Sequence, residues 1–479
     1  MKQKVIALLM GCSMAAGAGG MYAGTQLWDH KAPAEPVSSN LSQEAVKEEI
    51  PGLDKIQRAY DLISNKYVEK VDKDKLYEGA IKGMLSTLKD PYSIYMNKET
   101  AKQFSDSLDS SFEGIGAEVG LREGKIIIVS PFKGSPAEKA GLHPNDEIIR
   151  IDGQSIEGED LNQTVLRIRG KKGTSVILEV HRPGSSGTMT IALKRDNIPL
   201  ETVFSRTETY NGKKAGVIQI TSFSENTAQD FTEKLQKLEK EGIKGLVIDV
   251  RGNPGGYLQS VEEILKQFVT KDQPYIQIEE RNGKKTPYYS KLKTKKAYPV
   301  NVLINKGSAS ASEILAGALN EAGHYDLVGE TSFGKGTVQQ AVPMGDGSNI
   351  KLTLYKWLTP EGNWIHKKGI KPTIPVSQPE YYSAGPLQLE GDLKQDMNNE
   401  EVRVSQVLLK GLGYSPDRTD GYFSAKTTAA VKAFQKKNSL QATGVINTAA
   451  ALVLNKQIQV KKLNEENDLQ LKAAIKDLF

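Results

Sequence analysis

Two stretches of the 479-residue chain, Ala215-Gly216-Val217-Ile218-Gln219-Ile220 and Gly245-Leu246-Val247-Ile248-Asp249-Val250, are nearly continuous in apolar residues. A strand with one wet face alternates apolar and polar side chains. Runs like these belong instead to strands covered on both faces, as in a sheet between helices. That requirement sets an α/β domain, placed at residues 198–378. The second run opens into Arg251-Gly252-Asn253-Pro254-Gly255-Gly256, and a helix follows from about Gln259 to Phe268. Taken alone, those glycines mark a tight strand-to-helix turn.

Further along the same domain, Gly307-Ser308-Ala309-Ser310-Ala311-Ser312-Glu313-Ile314 reads as a loop entering a helix. Ser310 stands three residues before Glu313, in the spacing of a capping box. A serine there has free backbone N–H groups beside it, which can stabilise a developing oxyanion. The chain then passes a strand-like Leu327-Val328-Gly329, a glycine-flanked Lys335, and a second strand pattern over Thr337-Val338-Gln339-Gln340-Ala341-Val342. Lys335, Thr337 and Gln339 are expected on one face of that strand. A lysine serves as a base only as neutral amine, and at a reference pKa of about 10.4 under ~0.1% is neutral at pH 7. Burial must lower that pKa by roughly 3 units, at about 1.4 kcal/mol each. The plainer readings are an ordinary N-cap for Ser310 and a solvated charge for Lys335. Gly329 to Gly336 nearly spells a phosphate-binding loop, but Gly336 stands where a Ser or Thr would hold Mg²⁺ and a strand follows instead of a helix. Nucleotide binding is therefore rejected.

Together these motifs resemble the carboxyl-terminal processing (tail-specific) serine proteases, whose signatures are Ser-Ala-Ser-Ala-Ser-Glu and Phe-Gly-Lys-Gly-x-Val-Gln. The resemblance implies Ser310 as nucleophile, Lys335 as general base and Gln339 as the base's orienting partner. It also implies an oxyanion hole from the N–H of Ala311 and those of the Gly255/Gly256 turn, where Val250 replaces the family's leucine. Residues 112–196 resemble a PDZ domain, with a Gly-x-Gly loop, strands, a short capped helix at Ser135, a helix over Leu161 to Ile168, and a hairpin about Pro183 to Gly187. In such domains the loop, here Gly114, Ile115, Gly116 and Ala117, holds a peptide's terminal carboxylate. Residues 399–456 resemble a three-helix peptidoglycan-binding module, joined by a connector over 379–398. The tail over 457–479 reads as an amphipathic docking or dimer helix. Residues 44–108 have helical apolar spacing (Ile56, Tyr60, Ile63, Tyr67; Leu76, Ala80, Met84, Leu88), expected as a hairpin packing on a core, and the family adds a role in dimer contact. Asp90-Pro91-Tyr92-Ser93 ends that region and also resembles the family.

Lys2 and Lys4 precede an apolar run, so residues 1–25 read as a signal peptide or membrane anchor, with a linker over 26–43. Export across the cytoplasmic membrane into the cell envelope is expected, anchored or secreted. The one cysteine, Cys12, lies in that run, and the five histidines show no metal-ligand spacing. No metal, nucleotide or organic cofactor is implied. A net charge of +5 spread among scattered acids leaves no nucleic-acid footprint.

The fold expected is multidomain α/β: a PDZ β-sandwich-like domain inserted between an N-terminal helical region and an α/β Ser-Lys protease domain, plus the small helical module. The function expected is an exported, homodimeric serine endopeptidase that takes protein substrates by their C-terminal tails, with peptidoglycan as a further partner. The domain order resembles Gram-positive members, some of which act in spore formation. A tail-operated gate is also expected, with the PDZ domain over the site and Arg167 and Arg169 as its sensors. Two alternatives stand beside this. One is a non-catalytic PDZ/peptidoglycan scaffold, which would be free to lose Ser310, Lys335 and Gln339. The other is a Ser-His-Asp hydrolase using His324 or His366 with Asp249. His324 ends the helix that Ser310 begins, roughly 20 Å away at 1.5 Å per residue, which leaves His366.

Overall fold

The computed structural model describes residues 52–479 except 107–110, 123, 133, 160 and 184–186. The expected export segment, the linker, Cys12 and the middle of the PDZ hairpin turn lie outside the described residues.

Helices α1 (Leu53–Lys66) and α2 (Lys73–Ser86) open the fold, and the Asp72 side chain caps α2 through the Asp74 and Lys75 amides. Their Tyr60 and Tyr77 rings stack at 4.7 Å. The expected hairpin is present but packs on no core among the described residues. Neither helix has a buried residue, and Ile56, Ile63, Tyr67, Met84 and Leu88 are exposed. Amphipathic spacing reports an apolar face and not what covers it.

After β1 (Ile94–Met96) and α3 (Lys98–Asp106), the chain enters the PDZ domain on β2 (Ser111–Gly114). Strands β3 (Ala117–Arg122), β4 (Lys125–Pro131), β5 (Glu147–Ile151), β6 (Gln154–Ser155), β7 (Ser175–His181) and β8 (Thr188–Lys194) make one sheet, with helices α4 (Pro136–Lys139) and α5 (Leu161–Ile168). Alternate residues Val176, Leu178 and Val180 of β7 point into a core with Ile128, Ile148 and Ile151. The chain leaves on β9 (Asp196–Pro199), which pairs antiparallel with β2, Phe112 opposite Ile198. A two-stranded ribbon thus carries the chain into and out of the domain.

The catalytic domain holds β10 (Val203–Tyr210), β11 (Lys213–Ile220), α6 (Thr227–Lys240), β12 (Gly245–Asp249), α7 (Leu258–Leu265), β13 (Pro274–Glu279), β14 (Lys285–Tyr289), β15 (Val300–Ile304), α8 (Ala311–Glu321), β16 (Asp326–Gly329), β17 (Thr337–Pro343), β18 (Asn349–Leu358) and β19 (Ile374–Pro375). One sheet runs β10-β11-β12-β15-β16-β19, parallel from β11 onward. The apolar runs of the sequence are its centre. Leu246, Ile248 and Val250 face the core beneath α7 and α8, while Val247 packs on the other face. A second sheet places β18 among β1, β13 and β17, so the N-terminal region adds a strand to it.

The last module comprises α9 (Glu400–Gly411), α10 (Ala425–Lys437) and α11 (Thr448–Leu463) about Phe423, Val431, Phe434 and Leu454. The boundary expected at 456 falls inside α11. The tail helix is shorter than expected, α12 (Leu469–Asp477), and docks on the chain's own catalytic sheet. Leu471, Ala474, Ile475 and Leu478 cover Ala215, Val217, Val247, Leu303 and Val328.

Candidate active site

Ser310 is the N-cap of α8 and sits at φ 53°, ψ −112°. A side chain rarely adopts that left-handed conformation, which costs on the order of 1–3 kcal/mol and persists only where the surroundings impose it. The imposing groups lie in two loops bonded to each other, the glycine turn after β12 and the segment leading into α8. Buried Asn253 accepts from the Ala309 amide (3.0 Å) and the Ser312 hydroxyl (2.9 Å) through its carbonyl, and anchors itself on the Ile220 carbonyl (2.9 Å). Ser308 Oγ donates to the Val250 carbonyl (2.8 Å), and Asn305 Oδ1 accepts from the Gly252 amide (2.9 Å). The two loops are stitched so closely that a Cβ on Gly255 would lie 2.9 Å from Ser310 Cβ.

This stitching separates the oxyanion candidates. The Ala311 N–H begins the helix and has no acceptor among the described residues. The Gly255 N–H is taken by Asn253 Oδ1 at 2.8 Å, so it does not face a substrate. The bridge beside it runs from Phe223 N to Gly255 O and from Tyr257 N to Phe223 O, leaving the Gly256 N–H unused.

Glu313 ties the serine loop to the lysine loop. Its Oε2 accepts from the Ser310 amide (2.9 Å) and the Lys335 amide (2.8 Å). Its Oε1 accepts from the Ser332 hydroxyl and the Gly334 amide, each at 2.6 Å. Burial pushes the Glu313 carboxyl up, against the pull of these four donors. The capping-box spacing pointed to the first contact; the other three reach across the fold and have no local signal.

Lys335 lies in the loop before β17, so strand alternation applies only to Thr337 and Gln339. A bulge between Val338 and Gln339 alters even that, although Gln339 Nε2 still donates to Thr337 Oγ1 (2.9 Å), and to Thr353 Oγ1 (3.1 Å). With its amide nitrogen so engaged, Gln339 keeps its carbonyl oxygen for a donor such as an amine. The glycines flanking Lys335 admit the 364–369 loop: a Cβ on Gly336 would lie 2.8 Å from the His366 amide. Lys335 is 1% exposed. Burial, then the charge of Lys351, lowers its pKa to about 7, with Glu313 and Asp90 opposing. Its Nζ stands 4.9 Å from the centre of the Tyr92 ring.

The histidine alternative lacks its acid. Asp249 lies on the tail-covered face of the sheet, bound to Arg251 at 2.7 Å, and Arg251 is held also by Asp468 at 2.7 Å. His366 stacks on Trp364 at 5.1 Å, and its buried Nδ1 has no hydrogen-bond partner.

In the PDZ domain, Gly116 takes φ 74° and its carbonyl accepts from the Phe132 amide, while the Ile115 carbonyl accepts from the Ala137 amide. Ile115 itself is core. Arg169 lies exposed beside this loop, 4.9 Å over the Phe112 ring and next to Gly114. Arg167 is not a free sensor. It pairs with Glu159 and donates to the Ile151 carbonyl at 2.8 Å, all within the PDZ domain. Arg195, unremarked in the sequence, binds the Ile168 and Arg167 carbonyls at 2.8 and 2.9 Å where α5 ends, one residue before the exit strand β9.

The chain is 65% identical to the carboxy-terminal processing protease CtpB of Bacillus subtilis (strain 168), over 100% of both chains. The chain belongs to peptidase family S41. The family's own profile matches residues 214–376, flanked by matches to the activating protease CtpB N-terminal domain (14–100), a PDZ domain (114–193) and a peptidoglycan binding domain (398–452). Two further relatives are CtpA of Bacillus subtilis, 45% identical over 92% of this chain and 93% of that one, and a CtpA-like serine protease of Staphylococcus aureus (strain COL), 36% identical over 87% and 83%. As an S41 member the chain is a carboxy-terminal processing serine protease, which excludes the scaffold alternative.

Proposed function

We propose that the chain is an exported serine endopeptidase in which Ser310 is the nucleophile, Lys335 the general base and Gln339 the base's orienting partner. The observation that carries this reading is the buried Lys335 amine, held near neutrality on a loop that shares a carboxylate oxygen with the backbone of Ser310. Neutral Lys335 takes the Ser310 proton as Oγ attacks the scissile carbonyl. The N–H groups of Ala311 and Gly256 receive the oxyanion. Collapse of the tetrahedral intermediate breaks the C–N bond, and the Lys335 ammonium returns its proton to the leaving amine. Lys335 then deprotonates a water that hydrolyses the acyl-enzyme, and Ser310 regains its proton.

The substrate is a protein whose C-terminal tail adds to the PDZ sheet and sets its carboxylate on the Gly114–Ala117 loop, with exposed Arg169 beside it. The open apolar face of α1 and α2 supports a homodimer contact. The helical module supports peptidoglycan as an envelope partner, and the N-terminal apolar run supports export. Regulated proteolysis in the envelope, spore formation included, is the setting this reading suggests. The Ser310→Ala variant should fold as the parent and cleave no unfolded protein, with chelators without effect on the parent. Cleavage by Ser310→Ala at the parent rate overturns the assignment.

A further inference from the structure

The N-terminal region enters the catalytic site at one place. Three residues after α2, the turn Asp90–Ser93 is closed by its own side chains: Asp90 Oδ1 accepts from the Tyr92 amide (3.0 Å) and Oδ2 from Ser93 Oγ (2.6 Å). Ser93 Oγ in turn accepts from the Thr353 amide (3.1 Å) on β18, and the next residues pair with that strand as β1, Ile94 opposite Lys351. The turn is therefore fixed to the second sheet, on whose β1 α2 also rests, with Lys82 Nζ 5.7 Å from the centre of the Tyr95 ring. It presents the face of the half-buried Tyr92 ring to Lys335 Nζ at 4.9 Å, with the His366 ring edge-on to the same tyrosine at 6.5 Å.

We infer that Tyr92 is a positioning residue of the catalytic site: its ring seals the Lys335 amine from water and thereby links the base to the N-terminal helical pair. The inference rests on the proposed role of Lys335 as base. A ring under an amine has two opposed effects. Its π face attracts the ammonium form, whereas its bulk excludes the water that ammonium needs. Burial is the leading influence on Lys335, and the Tyr92 ring is part of what buries it. The other groups about the amine are Glu313 from α8, Lys351 from β18, Asp90 from the same turn, and His366 from the loop that packs on Gly336. Asp90 and Glu313 favour the ammonium and Lys351 opposes it, and none of the four is a wall. The wall on that side is Tyr92. The turn that bears this wall is joined to α2 by three residues of chain.

The test uses the full chain with Tyr92→Phe, Tyr92→Leu and Tyr92→Ala. Two readouts are taken: the pH dependence of kcat and KM on an unfolded protein, and the pH midpoint of Lys335 acetylation by acetic anhydride, followed by mass spectrometry. Phe and Leu keep the seal and should retain the parent midpoint. Ala admits water and should move both midpoints to higher pH by about one unit, lowering kcat about fivefold at pH 7 with KM unchanged and restoring it at high pH. A parent-like acetylation midpoint in Tyr92→Ala overturns the inference, as does an equal alkaline shift in Tyr92→Leu. Acetylation that shifts while the rate profile stays put leaves the seal standing and overturns Lys335 as the base.

Discussion

Ser310, the proposed nucleophile, is held under strain that glycine would not feel. At φ 53°, ψ −112° a Ser310 side chain is tolerated only because Asn253, Ser308 and Glu313 fix the loop around it. Replacing it by alanine leaves the Cβ and the strain, whereas replacing it by glycine removes both. Ser310→Gly should therefore be inactive yet more stable than the parent by about 1 kcal/mol, and Ser310→Ala inactive and unchanged. Urea unfolding of the two variants followed side by side checks this; equal stability of both would show that the loop relaxes when the serine is removed. Sequence spacing pointed to the reach of Glu313 back to the Ser310 amide, a short-range pattern, whereas Ser310 and Lys335 were singled out by their likeness to the family's motifs. It did not reveal that Glu313 also binds Gly334 and Lys335, or that Gly255 spends its N–H on Asn253. Those contacts are made by residues far apart in sequence or by a rotation of one peptide unit, to which residue type is blind.

At the scale of elements, helices and strands were legible wherever one periodicity held over a whole element, as in the central strands and in α5. What each element packs against was less so. The spacing in α1 and α2 suggested a core that the described residues do not supply, and the tail, read as docking or dimer helix, covers the catalytic sheet of its own chain. Helix α12 does more than cover apolar surface. Its N-cap Asp468 and Gln470 hold Arg251, the first residue of the glycine turn proposed to build the oxyanion site. Burying side chains such as Leu471, Ile475 and Leu478 contributes about 1.5–3 kcal/mol each. Deleting residues 465–479 should thus lower the urea midpoint of the catalytic domain by several kcal/mol of stability while the module of α9 to α11 unfolds as before. Unchanged unfolding of the catalytic domain in that truncation would mean that the tail is not part of its fold.

For the whole molecule, the PDZ domain hangs on the β2/β9 ribbon, whose exit strand begins beside Arg195 and whose entry strand ends at the proposed tail-binding loop. A tail bound at Gly114–Ala117 acts on that ribbon directly. If the PDZ domain blocks the site until a tail binds, a tail that prefers the open arrangement shifts the population toward it. Deleting residues 112–196 should then leave cleavage that persists or rises and ignores the substrate's terminal residues. Loss rescued by more substrate identifies a recruiter instead, and loss at every substrate concentration, in a folded variant, identifies an activator. The claim on which all of this depends is that a neutral Lys335 activates Ser310, and one measurement tests it most directly: the rate of cleavage of an unfolded protein from pH 5 to 9 by the parent, Lys335→Ala and His366→Ala. Because burial lowers the Lys335 pKa and only the neutral amine accepts a proton, the parent rate should rise with pH through about 7. His366→Ala should keep that rise, and Lys335→Ala should show no cleavage at any pH. An active Lys335→Ala beside an inactive His366→Ala would contradict the account and hand the role of base to the histidine.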